Sequence, residues 1–170
     1  MSEPVPAGHS GVERLDPRHA AREAAVQMLY QWEVGHASVQ EVAAHFFQDR
    51  DARGPGDEGH EEEQPVALSA AQRAFAMELL RGVAAHADTL DPVIAAAAQH
   101  WRLERMAIVD RLILRLAVYE FQHRPETPAR VVINEALELA RTFSTEDAVR
   151  FINGLLDGVR KTLERNSSRP

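Results

Sequence analysis

The sequence predicts an all-α fold of seven helices, and three observations carry that expectation. Apolar residues recur at helical spacing through most of the 170 residues and nowhere alternate over the length of a strand. Helix-start signals stand at intervals, at Asp16-Pro17, Ser38 with Glu41, Ser69 with Gln72, and Asp91-Pro92. Chain breakers such as Gly35, Pro125 and Pro128 fall between the periodic stretches.

Residues 1–16 mix Pro, Gly, Ser and Glu and are expected to be a disordered lead. Asp16-Pro17 opens a first helix from Arg18 to about Val34, with Ala21, Ala25, Met28, Leu29 and Trp32 on one face. Arg14, Arg18 and Arg22, spaced by four, make a short basic stripe that is either a ligand surface or a solvated helix end. Gly35 is the expected stop. Ser38 to Glu41 is a capping box, and a second helix follows to about Gln48 through Val42, His45 and Phe46.

Residues 50–66 read as an acidic linker. The seven acids from Asp49 to Glu63 face only Arg50 and Arg53, so most of the chain's net charge of −7 sits there. The ends are basic by comparison, and an acidic total therefore does not exclude a nucleic-acid partner. The linker matches GxGxxG from Gly54 to Gly59, but it lacks the preceding strand and following helix of a phosphate cradle and carries carboxylates against the anion.

Ser69 opens a third helix with Phe75, Leu79, Leu80 and Val83 inward, and Asp91-Pro92 a fourth that Trp101 closes. A fifth runs from about Arg105 to Phe121 with a wide apolar stripe of Ile108, Val109, Leu112, Ile113, Leu116 and Tyr119, apolar enough to be central. Val131 to Phe143 is the sixth. In the seventh, Ala148, Ile152, Leu155, Val159 and Leu163 form the apolar stripe, so Asn153-Gly154 is not a hairpin turn. Ser144 is the expected N-cap with Asp147 as its capping partner. A glycine inside a helix costs about 1 kcal/mol against alanine, so Gly154 is expected to admit a close neighbour. Phe143, Asp147 and Phe151 form a second stripe at i, i+4, i+8. They are either core with a capping carboxylate or two rings and an acid facing a ligand.

An apolar share of 45% suits a globular chain with a real core. No run reaches 18 apolar residues, and the N-terminus has no apolar signal region. There is no cysteine, hence no disulfide and no thiolate chemistry, and a cytoplasmic protein is expected. The eight histidines form no i, i+4 pair, and neither a nucleophile elbow nor a glycine–lysine phosphate loop is present. No metal, cofactor or enzymatic activity is expected.

Four motifs resemble the NusB transcription antitermination family: Ala21 to Trp32 (AREAAVQMLYQW), Leu112 to Glu120 (LILRLAVYE), Pro128 to Ala140 with its VVINEA, and Phe151 to Asp157 (FINGLLD). They stand in the family's order and cover residues 18 to about 160. The resemblance implies one domain over 17–165, built of two helical-bundle subdomains (helices 1–3 at about 17–86, helices 4–7 at about 91–164), with a tail at 166–170. It implies a non-catalytic factor that binds boxA-type single-stranded RNA with NusE, a small-subunit ribosomal protein, and joins the RNA polymerase elongation complex. RNA-binding positions carry over onto Arg18, His19, Arg22, Phe143, Asp147 and Phe151, with His19 where arginine is common. NusE-facing positions carry over onto Tyr30, Glu104 and Asp110. A face awaiting its partner can also pair two copies of the free chain. The same helical fold occurs as the N-terminal module of ribosomal RNA cytosine methyltransferases, whose catalytic cysteines this sequence lacks. A stand-alone relative of that module and a protein-only scaffold are the alternatives.

Overall fold

Leu112 to Glu120 are all buried, and a helix buried on every side must have neighbours on every side. The computed structural model, which describes residues 16–53, 67–99 and 101–169, supplies them. Among the described residues six α-helices are present: α1 (His19–Gly35), α2 (Val39–Ala52), α3 (Ala70–Ala98), α4 (Ile108–His123), α5 (Ala129–Phe143) and α6 (Glu146–Ser167). A 3-10 turn, Leu103–Arg105, precedes α4. No strand occurs among the described residues. Helix α4 packs against α1, α3, α5 and α6, and side chains from all six helices join one core cluster.

The described residues are all-α with seven helical pieces, but these divide differently from the expectation. The predicted third and fourth helices are one continuous helix, α3, with Pro92 inside it. Proline removes one backbone hydrogen bond, to the carbonyl four residues back. Here that residue, Asp88, is exposed, as is Pro92, so water can take the carbonyl. Leu90 and Ile94 are fully buried on either side of the proline, and their shared apolar face carries the helix through. Asp91 is no cap; both its oxygens accept from Arg115 of α4, at 2.7 Å each.

The termini of the helices show the same sorting of expected from actual devices. Both capping boxes, Ser38–Glu41 and Ser69–Gln72, are formed. Gly35 is the last residue of α1, and the left-handed position belongs to His36, at φ 53°. Helix α2 continues past Gln48 to Ala52. Ser144 does not cap α6. Thr145 does, accepting from the Ala148 N–H at 3.2 Å, and Asp147 has no capping bond. Ser144 instead closes α5 through its backbone N–H and donates its hydroxyl to Asp110 of α4 at 2.6 Å.

Gly154 overturns its expectation. A Cβ built there would meet nothing within 4 Å, and the residue is exposed, so no helix approaches it and a leucine would not overpack. The close approach is at Gly82 of α3, where a Cβ would lie 2.1 Å from Cζ of Tyr119. All of the disordered lead expected at 1–16 except Asp16, and residues 54–66 of the acidic linker expected at 50–66, lie outside the described residues.

Candidate nucleic-acid interface

Two surfaces carry the residues singled out from the sequence. At the start of α1, Asp16 accepts the Arg18 N–H on its side chain at 2.8 Å and the His19 N–H on its carbonyl at 2.8 Å, which turns the chain into the helix. Arg22 then points inward and is completely buried. Its Nε and NH2 donate to the two oxygens of buried Glu120 at 2.9 and 2.8 Å, a two-pronged pairing that matches guanidinium to carboxylate. Its remaining nitrogen donates to Asp16 at 3.2 Å. Burial works against the charge of Arg22, and the bonds to Glu120 together with the charges of Glu120, Glu135 and Asp16 outweigh it, so the guanidinium stays protonated.

His19 is part of the same cluster. Its Nδ1 lies 2.6 Å from Glu135 of α5 and its Nε2 2.9 Å from Glu23. With a carboxylate at each ring nitrogen, both must donate, which requires the imidazolium. The bonds to Glu135 and Glu23 raise its pKa to about 9 against the opposing pull of burial. The basic stripe is therefore only partly a stripe. Arg22 and His19, expected at phosphates, are satisfied internally by carboxylates of α1, α4 and α5, and Arg22 has no surface to offer. Arg18 alone is exposed, its guanidinium 4.8 Å above the Phe75 ring. Arg14 lies outside the described residues.

The second surface is the corner between α5 and α6. Phe143, the last residue of α5, and Phe151, on the second turn of α6, are half-buried against the core. Asp147 stands four residues from each along the chain, with its side chain 95% exposed; the cation paired with it, Arg150, is 3.7 Å away and also exposed. The rings are thus partly packed on the core and partly open, and the carboxylate is held only by that long, exposed ion pair. The corner is tied to α4 by the Ser144–Asp110 bond. Both surfaces use α5: Glu135 and Phe143 are about 12 Å apart along its axis at 1.5 Å per residue.

Of the partner positions, Tyr30 is 45% exposed and Glu104 is exposed, while Asp110 is half-buried with one oxygen engaged by Ser144. Glu33 of α1 reaches Arg111 of α4 at 2.8 Å, which sets the Tyr30 and Asp110 regions side by side. Sequence patterns left two exposed apolar side chains unmarked. Val34, one turn beyond Tyr30, is 50% exposed and widens that face. Trp101, expected as the end of a helix, is 61% exposed and meets Phe151 edge-on with ring centroids 5.5 Å apart. Its polar sequence neighbours, His100 and Arg102, were the available sign that no core lay there.

Among the described residues no group of three or more His, Cys, Asp or Glu is arranged to hold a metal, and no helix is long and apolar enough to cross a membrane.

Comparison with known proteins gives a consistent result. Residues 19–161 match the sequence profile described as the NusB family. The chain is 42% identical to the transcription antitermination protein NusB of Koribacter versatilis, over 86% of this chain and 90% of that one. It is 41% identical to that of Sorangium cellulosum, over 89% and 96%. Among solved structures, the T. maritima NusB superposes with a TM-score of 0.69 at 28% identity, covering 86% of this chain and 92% of that one. A complex of the antitermination factors NusB and NusE with double-stranded RNA matches at 0.70 and 21% identity, covering 85% and 96%, a likeness of fold.

Proposed function

The chain belongs to the NusB family of transcription antitermination factors, and from that premise we propose that it binds boxA-type single-stranded RNA jointly with NusE. In this reading it joins the RNA polymerase elongation complex with other Nus factors and supports ribosomal RNA transcription. It acts in the cytoplasm, as a binding factor without catalysis.

The observation that carries the reading is the corner of α5 and α6. A carboxylate 95% exposed and outside any capping or strong ion-pair role stands four residues from each of two half-buried rings. Single-stranded RNA is held by stacking on aromatics and by hydrogen bonds to base edges, and a free carboxylate accepts from base amino groups. Phe143, Asp147 and Phe151 are the proposed base-contacting set. Arg18 is the proposed phosphate contact, and His19 and Arg22 serve RNA by fixing the start of α1 beneath it. Tyr30, Glu104 and Asp110 are the proposed NusE-facing residues. The fold's likeness to the NusB–NusE–RNA complex supports the pairing of partners.

A mobility shift with a boxA-like RNA and a scrambled control, each with and without NusE, tests the reading. Preferential binding of the boxA-like RNA, strengthened by NusE, is the expected result. Equal binding of both RNAs under all conditions overturns it. Glu104→Lys is the cleaner probe of the NusE surface, because a change at Asp110 also breaks its bond to Ser144.

A further inference from the structure

Three large apolar side chains are exposed among the described residues, and Trp101, at 61%, is the most exposed of them. Leaving an indole in water forgoes the burial of a large apolar surface. The local backbone is nonetheless well held, since the Trp101 N–H donates to the Ala98 carbonyl at 3.0 Å just past α3. The ring lies at 61° to that of Phe151, an edge contact that leaves much of the indole uncovered. Trp101 is thus a fixed, uncovered aromatic surface beside the corner that carries Asp147.

Its flanks are cationic. Arg102 follows directly, and Arg105 stands three residues on, at the end of the 3-10 turn. The turn is closed between them, the Arg105 N–H donating to the Arg102 carbonyl at 3.0 Å. Both are exposed, and neither guanidinium has an ion pair or hydrogen bond among the described residues. Glu104 between them is exposed as well, a third of a turn away. On α6, Arg150 adjoins Phe151 and meets Asp147 only at 3.7 Å.

We propose that Trp101, backed by Phe151, is a stacking platform for one unpaired nucleobase of single-stranded RNA, with Arg102 and Arg105 on the adjoining phosphates. The inference rests on the RNA-binding reading above and adds to it a residue and a mode of contact. A flat aromatic bordered by unpaired guanidiniums matches the alternation of base and phosphate along a single strand. A duplex presents no open base face to such a ring. A basic protein surface would be repelled by the two arginines.

The test uses the full chain, a boxA-like single-stranded RNA, and the same RNA annealed to its complement. Wild type should show quenched tryptophan emission with the single strand and little with the duplex. Trp101→Ala should lower affinity for the single strand about tenfold or more, with the salt dependence unchanged. Trp101→Phe should restore most of that loss. Arg102→Ala and Arg105→Ala should each flatten the salt dependence by about 0.7 in log–log slope. Since Trp101 is mostly in solvent, the melting temperature of Trp101→Ala should stay near that of wild type. Wild-type affinity in Trp101→Ala overturns the platform. So does a loss confined to binding of the ribosomal-protein partner without RNA, which would make Trp101 a protein contact. If wild type binds no single strand, with or without that partner, the RNA-binding reading falls and the platform with it. Intact wild-type binding alongside an unaffected Trp101→Ala removes the platform alone.

Discussion

Arg22 and Asp147 occupy comparable places, each a charged residue in the first turn or so of its helix, and the fold treats them in opposite ways. Arg22 is completely buried and bound to a carboxylate 98 residues away. Asp147 is 95% exposed and bound to almost nothing. Around Arg22 every neighbouring charge is answered: Asp16, Glu120, Glu135 and His19 close a cluster that joins α1 to α4 and α5. Around Asp147 the structural work is done by others, capping by Thr145 and the link to α4 by Ser144. A charge whose partners are all inside the molecule is spent on the fold. One held only by a long, exposed ion pair, at a corner that also carries two half-buried rings, is available to a ligand.

The sharpest way to break this contrast is to remove the buried charge. Arg22→Ala leaves Glu120 buried without its partner and should cost about 3–5 kcal/mol. Arg18→Ala, one helical turn earlier and exposed, should cost less than about 1 kcal/mol. Urea midpoints of the two variants decide the matter. Replacing the pair together, Arg22→Met with Glu120→Leu, should recover most of the loss. An Arg22→Ala protein that melts like wild type would return Arg22 to the surface. The pair of arginines also shows why changing both at once is a poor probe of RNA contact: unfolding would imitate lost binding.

Glycines repeat the contrast at lower cost. Gly82 lies under the Tyr119 ring, which stacks on His123 at 4.6 Å, and its carbonyl accepts from His86 Nδ1 at 2.7 Å. An added methyl group would sit 2.1 Å from Tyr119 Cζ, so the ring must move. Gly82→Ala should destabilise by about 1–3 kcal/mol through overpacking, and thermal unfolding of the variant measures it. No loss would mean that Tyr119 has room to shift.

The buried cluster also predicts a pH dependence. His19 has an ordinary value of 6.5 in the unfolded chain and about 9 in the folded one. Its contribution is therefore complete below about pH 6.5 and is lost as the pH rises through about 9. With a discount for water at the rim beside Glu23, the loss should be about 1–2 kcal/mol. Denaturant titrations at pH 6.5 and pH 9.5 should show it in wild type and not in His19→Gln. Equal stability at both pH values in wild type would mean that His19 lacks one of its two carboxylates.

Local signals in the sequence were read most reliably where a partner is close in the chain. The capping boxes at Ser38 and Ser69 are complete within four residues, and both form. The wide stripe of α4 marked the central helix. What depends on distant partners was not legible. Pro92 looks like a helix start until the face shared by Leu90 and Ile94 is seen to be continuous. Arg22 looks like a phosphate contact until Glu120 is brought to it. Gly154 looked like a close contact because a mid-helix glycine needs an offset; the fold provides none, so Gly154→Ala should stabilise by up to about 1 kcal/mol. A calorimetric melting temperature at or below that of wild type would reveal a neighbour at this face. In the candidate site, Phe143, Asp147 and Phe151 read as one i, i+4, i+8 stripe, which the structure divides between the end of α5 and the start of α6, whereas Trp101 meets Phe151 only through tertiary contact.

The smallest expected effect on stability is at Asp147, and it is the most informative. Asp147 makes no capping bond, so Asp147→Asn loses only the interaction of a carboxylate with the N-terminal end of α6 and a long ion pair with Arg150. Exposed charge–dipole effects of this kind are worth about 0.3–1 kcal/mol, screened by salt. Yet on RNA the change should be plain. Asparagine keeps the size of the side chain but replaces an acceptor with a mixed donor and acceptor, so recognition of base amino groups weakens. It also removes a negative charge facing phosphates, so affinity for RNA in general rises. The expected pattern is tighter binding with a smaller ratio between boxA-like and scrambled RNA, measured by titration at several salt concentrations. If neither affinity nor that ratio changes while the melting temperature falls by several degrees, Asp147 belongs with Arg22, and its charge serves the fold.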